Sequence, residues 1–107
     1  MQFEESAVYD TMRRRIGDER YNTLYDVIVM NVPAVVRMVQ RQGIEYFRAA
    51  YFRTIDGQST LKRSANPSVR EQAVTFCLVM REIFLAVEEL AGSPAMNIPP
   101  NPEDGHP

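Results

Sequence analysis

The chain has 107 residues, of which 45% are apolar and 24% charged, the size and composition of one ordinary globular domain. Its formal net charge of −2 gives no general electrostatic attraction to nucleic acid or to an anionic membrane. The single cysteine, Cys77, excludes an internal disulfide and is typical of a reducing compartment.

The N-terminal residues, MQFEESAVYD, carry acidic side chains where a secretory signal peptide has positive charge. The longest uninterrupted apolar stretches, FCLVM and IFLAV, are far shorter than the ~20 residues that span a bilayer. We therefore expect a soluble cytoplasmic protein that does not associate with membranes.

The first segment has the periodicity of an amphipathic helix. Val8, Met12 and Ile16 recur at every fourth position, which predicts a helix over 4–16. Gly17 follows directly and is a typical helix end.

The next thirty residues are harder to interpret. Asp18 is a suitable N-cap for a second helix, which we place at 19–30. The β-branched residues at 27–29 make a short strand the alternative there. Pro33 favours a helix break just before it and a third helix over 33–42.

A fourth helix is predicted over 44–55, IEYFRAAYFRTI, ending in a polar connection. Its spacing places Phe47 and Tyr51 on the inner face. Tyr46 and Phe52 point elsewhere, and either burial or exposure at a protein interface fits them.

The last helix is long, over 68–91, and has clear end signals. Ser68 followed by Glu71 matches a capping box, and Asn66 with Pro67 is the alternative start. Gly92 ends the helix.

This last helix has apolar residues on two sides. One stripe has the alternating steps of a heptad seam: Val69, Ala73, Phe76, Met80, Ile83, Val87 and Leu90. The opposite side carries Val74, Leu78 and Leu85. The remaining strip is expected to face water: Glu71, Thr75, Arg81, Glu82, Glu88 and Glu89.

Two interpretations of the second apolar side remain open. The helix is either the central helix of a bundle, covered all round, or it offers one side to a second subunit or another protein. Three large aliphatic side chains left in water would form the kind of patch that marks an interaction site.

No catalytic, metal-binding or nucleotide-binding motif is present. The only histidine, His106, lies in the Pro-rich segment 93–107, which we expect to be a flexible tail. The basic cluster Arg13, Arg14 and Arg15 fits a solvated helix face better than a phosphate contact, because Glu4, Glu5 and Asp10 lie one or two turns earlier in the same helix and balance its charge. We therefore predict no enzyme activity, no cofactor and no metal.

The predicted fold is all-α, a compact bundle of four to five helices with a long C-terminal helix. We expect a single helical domain at 1–92, followed by the tail. A domain of this size buries only about two-thirds of its unfolded surface, which favours oligomerisation as a supplement to stability.

The body of the chain, from FEESAVYDTMRRRIGDERYNTLYDVIV through AVTFCLVMREIFLAVEELAG, resembles the QslA-like antiactivators of bacterial quorum sensing. The resemblance implies a homodimer that binds the ligand-binding domain of a LuxR-type transcription factor. Such binding blocks dimerisation of the receptor and hence its binding to DNA. The resemblance lies in overall sequence character and contains no motif from which contact residues could be transferred.

The function predicted from residues and resemblance together is a non-enzymatic inhibitor that masks a transcription factor. Its predicted interface residues come from the helix patterns alone: Val74, Leu78 and Leu85, with Tyr46 and Phe52 as additions. Two alternatives remain. One is a small DNA-binding or phage-type regulator that uses Arg13–Arg15, and the other is a dimeric chaperone or structural subunit.

Overall fold

The computed structural model describes residues 4–92, which form six helical segments and no strand. The predicted all-α fold with a long last helix is confirmed, and the predicted tail at 93–107 lies outside the described residues. The fifth segment is a single turn within the predicted polar connection. The segments are α1 (Glu5–Ile16), α2 (Asp18–Thr23), α3 (Tyr25–Gln42), α4 (Ile44–Gly57), α5 (Ser59–Lys62) and α6 (Pro67–Ala91).

Glycines form the predicted helix ends. Gly17 and Gly43 are one-residue corners, each ending one helix and preceding the next, with φ of +87° and +93°. Side chains rarely tolerate this backbone region, so glycine is required although neither site is crowded. Gly92 ends α6 in the left-handed conformation.

The predicted break before Pro33 is wrong, because α3 runs through this residue without interruption. Proline removes the hydrogen bond that the carbonyl of Val29 would accept, which disfavours a helix interior. Packing offsets that loss, since the inner side of α3 is buried along its length. The buried side chains are Ile28, Val32, Val35, Val36 and Val39.

The start of α6 follows the alternative cap and not the capping box. The Asn66 side-chain oxygen accepts a hydrogen bond from the backbone N–H of Ser68 at 3.0 Å, and Pro67 is the first helical residue. Proline suits this position because its missing N–H would have had no helical partner.

Helix α6 is the centre of the bundle, because it packs against α1, α3, α4 and α5. From Val79 to Glu88 every residue except Arg81 is buried, so this stretch is covered on all sides. The largest fully buried side chains include Ile83 and Phe84 of α6 itself and, from the helices around it, Tyr51, Phe47, Met12 and Ile28. None of the helices between residues 4 and 92 is long and apolar enough to cross a membrane.

Candidate protein-interaction site

The second apolar side of α6 becomes more covered along the helix. Val74 and Leu78 are half-buried, whereas Leu85 is only 7% exposed. At 3.6 residues per turn, the three side chains point within about 40° of one another. Leu85 therefore belongs to the interior of the protomer, and only the part of this side before it remains accessible.

Two ion-paired glutamates fix where this side lies in the bundle. Glu88 is bound by Arg48 of α4, and Glu89 by Arg14 and Arg15 of α1. Both glutamates lie one turn beyond Leu85, so the side runs between α1 and α4. We call its accessible part, Val74, Leu78 and Arg81, the α6 face.

Phe52 lies beside this stretch of α6. Its ring is 49% exposed, with its centroid 5.3 Å from that of Tyr51 and 6.0 Å from that of Phe84. Tyr46 is also exposed, at 47%, but it precedes Phe52 by six residues and points about 120° away from it around α4. The structure therefore places Phe52 against α6 at Phe84, which points about 120° away from Leu78 around the helix, and it places Tyr46 on another side of α4.

The α6 face borders two buried polar atoms that have no hydrogen-bond partner among the described residues, Tyr51 Oη and Arg81 Nε. Arg81 uses another nitrogen, Nη1, to donate to Glu82 Oε2 at 3.1 Å. Burial raises the pKa of Tyr51 to about 12, while the charge of Arg81 acts in the opposite direction. An unsatisfied buried donor costs about 1–3 kcal/mol, so an added acceptor would stabilise this region.

Two members of the strip predicted to face water, Glu82 and Glu88, are in fact buried. Arg48 Nε and Nη2 donate to the two carboxylate oxygens of Glu88 at 2.6 and 2.8 Å, and Arg48 also pairs with Glu45. The hydrogen bonds to Glu88 raise the pKa of Arg48. The sequence did not reveal this pair, because its members are 40 residues apart.

The arginine cluster of α1 is engaged by acids. Arg13 Nε donates to Asp18 Oδ1 at 2.8 Å, while Arg14 and Arg15 both pair with Glu89. The balancing acids therefore lie in α2 and α6, whereas we expected them in α1 itself. These contacts reduce the charge available for a phosphate group.

Metal-ligating side chains are not grouped in the part of the chain that the structure describes. No three His, Cys, Asp or Glu side chains of residues 4–92 are grouped as a metal site requires. Cys77 is buried, and burial raises the pKa of its thiol, which suppresses the reactive thiolate. His106 lies outside the described residues.

No protein-family model matches the chain, and no curated protein or solved structure is significantly similar to it. Function is therefore inferred from the exposure and contacts of the residues above and from the resemblance noted in the sequence.

Proposed function

We propose that the protein is a cytoplasmic, non-enzymatic antiactivator that masks a LuxR-type transcription factor and blocks its dimerisation and DNA binding. It acts as a homodimer and uses the α6 face as its contact surface. Stoichiometric masking needs no catalytic group, metal or cofactor.

The observation that supports a binding role is the composition of the α6 face. Two half-buried aliphatic side chains, Val74 and Leu78, share one side of α6 with Arg81, whose Nε is unsatisfied. The half-exposed ring of Phe52 packs on α6 at the nearby Phe84. Aromatic residues and arginine are enriched in protein interfaces, and the residues that contribute most binding energy lie near the interface centre. The target class comes from the resemblance to the QslA-like antiactivators.

Masking works by competition. A preformed apolar surface that covers the receptor's own dimer contacts lowers the population of receptor dimers without altering the receptor chemically. The DNA-binding alternative is less favoured, because Arg13, Arg14 and Arg15 are already paired with acids.

The test is calorimetric titration of the full chain into the purified ligand-binding domain of a LuxR-type receptor, with light scattering of the mixture. We expect binding of the parent protein and loss of the receptor dimer. Leu78→Glu places a charge on the α6 face and should weaken binding at least about 100-fold, because a buried unpaired charge costs several kcal/mol.

Met30→Glu is the matched control, because Met30 is 76% exposed on α3, away from the α6 face. It should bind as the parent does, and both variants should keep the parent's helical circular-dichroism spectrum. No binding by the parent would reject this target class. Equal binding by Leu78→Glu and Met30→Glu would reject the α6 face as the contact surface.

A further inference from the structure

A shallow pocket of about 300 Å³ lies where α1, α2 and α3 meet. It shares no residue with the α6 face. Its volume is at the small end of the range for ligand sites, which suits one side chain better than a nucleotide or a cofactor. The pocket is lined by Ser6, Tyr9, Asp10, Tyr21, Tyr25 and Val29.

Tyrosine rings form the walls of this pocket. The centroids of Tyr21 and Tyr25 are 5.9 Å apart, and the ring planes meet at 60°. Tyr9 adds a third ring from α1. The face of an aromatic ring carries partial negative charge, so several rings set at steep angles form a cage for a cation.

The charge at the pocket also favours a cation. Asp10 is exposed in the lining and forms no ion pair with residues 4–92. Arg13, a cation beside the pocket, is held by Asp18 at 2.8 Å. Its guanidinium carbon lies 5.6 Å from the centroid of Tyr21, so one ring of the pocket already accepts a cation.

We propose that this tyrosine pocket binds the side chain of a basic residue, arginine or lysine, that a protein partner presents to it. The rings of Tyr9 and Tyr25 receive the cation, since Arg13 already covers Tyr21, and the Asp10 carboxylate balances its charge. A phosphate or another anion would be repelled by the same groups. This inference does not depend on the proposed function, because it concerns a different surface.

The test is an NMR titration of the ¹⁵N-labelled full chain with the acetylated and amidated tripeptide Gly-Arg-Gly. We expect saturable shifts of the backbone amides that line the pocket, with a dissociation constant on the order of 10 mM, because exposed cation–π contacts and one exposed carboxylate each contribute little to the affinity. The same peptide with citrulline in place of arginine has nearly the same shape and no charge, and it should cause no saturable shift.

Two variants locate the binding. Asp10→Asn removes the charge, and Tyr25→Leu removes one ring, and each should weaken binding about threefold or more. Both residues are exposed, so the fold should be retained. Asp26→Asn is the matched control, because it removes the same charge beside Tyr25 but outside the pocket lining, and its affinity should equal the parent's.

Three results would overturn the proposal: no saturable shift with the arginine peptide, equal binding of the citrulline peptide, or equal weakening by Asp10→Asn and Asp26→Asn. Binding of free arginine amide without binding of the tripeptide would reject a partner protein as the source of the cation. None of these results involves the receptor or the α6 face.

Discussion

Neighbouring glutamates near the end of α6 form ion pairs in contrasting surroundings. On the α4 side, the Glu88 side chain is 8% exposed and its partner Arg48 22%. On the α1 side, Glu89 is 38% exposed and Arg14 63%. Both are arginine–glutamate pairs, but they differ in burial and in partners, because Arg48 binds Glu88 through two nitrogens whereas Arg14 and Arg15 share Glu89.

Burial decides what each pair contributes to stability. Removing one partner of a buried pair leaves an uncompensated charge and costs about 3–5 kcal/mol, whereas an exposed pair is worth about 0–1 kcal/mol. The α4 side is therefore sensitive to a single polar contact. The α1 side depends mainly on apolar packing, in which Val8 and Met12 are fully buried.

The largest effect is expected from Phe84→Ala, which removes the aromatic contact between α4 and α6. The Phe84 ring is 1% exposed, with its centroid 4.6 Å from that of Tyr51 and 5.7 Å from that of Phe47. Truncation should lower the free energy of unfolding in urea by about 3–5 kcal/mol. Phe52→Ala, on the exposed ring, should cost less than about 1 kcal/mol, and similar losses for both would contradict the packing described.

The same substitution on the two sides tests the comparison directly. Arg48→Met should destabilise by about 3 kcal/mol, because the buried carboxylate of Glu88 loses the two hydrogen bonds from Arg48, whereas Arg14→Met should cost less than about 0.5 kcal/mol, because the exposed Glu89 keeps Arg15. Adding Glu88→Leu to Arg48→Met should recover most of the loss. Equal losses in the two single variants, measured by urea unfolding, would show that burial does not separate the pairs.

The smallest effect is expected from Tyr51→Phe, which removes the unpartnered hydroxyl. At neutral pH this change should be neutral or stabilise by up to about 1 kcal/mol. Burial raises the pKa of Tyr51 from its ordinary 10.0 to about 12, so the folded state keeps a phenol proton that the unfolded chain loses first. The stability contributed is full below pH 10 and is lost as the pH rises towards 12.

Tyr51→Phe should therefore show a smaller fall in thermal stability between pH 10 and pH 12 than the parent. Tyr46→Phe is the control, because Tyr46 is exposed, and it should follow the parent's pH profile. If all three proteins lose stability alike over this range, Tyr51 is not the group responsible.

Local signals were sufficient to predict most helix ends. Gly17, Gly43 and Gly92 mark ends because few other residues adopt their backbone angles, and this requirement is readable in one residue. The helix break predicted before Pro33 was wrong because the deciding factor there is not local. The local cost of the proline is real, but burial of the inner valines of α3 outweighs it, and that packing depends on other helices.

The candidate site was only partly predictable, because burial is a property of the whole bundle. Helical spacing placed Val74, Leu78 and Leu85 on one side of α6, and they do share that side in the structure. Spacing does not show that this side is buried at Leu85 and accessible only before it. The expectation that Glu88 faces water was wrong, because its partner Arg48 belongs to another helix and spacing within α6 does not reveal the pair. The tyrosine pocket was missed, because its rings come from three helices.

Because α6 is the central helix, the buried thiol of Cys77 can be used to measure how often this helix opens. It is the chain's one thiol and is fully buried, so a thiol reagent modifies only molecules in which the helix has opened. The rate of thiol modification therefore reports how often α6 opens, and no label has to be introduced into the protein. A ligand bound to α6 lowers the rate of thiol modification by the same factor by which it stabilises the closed form.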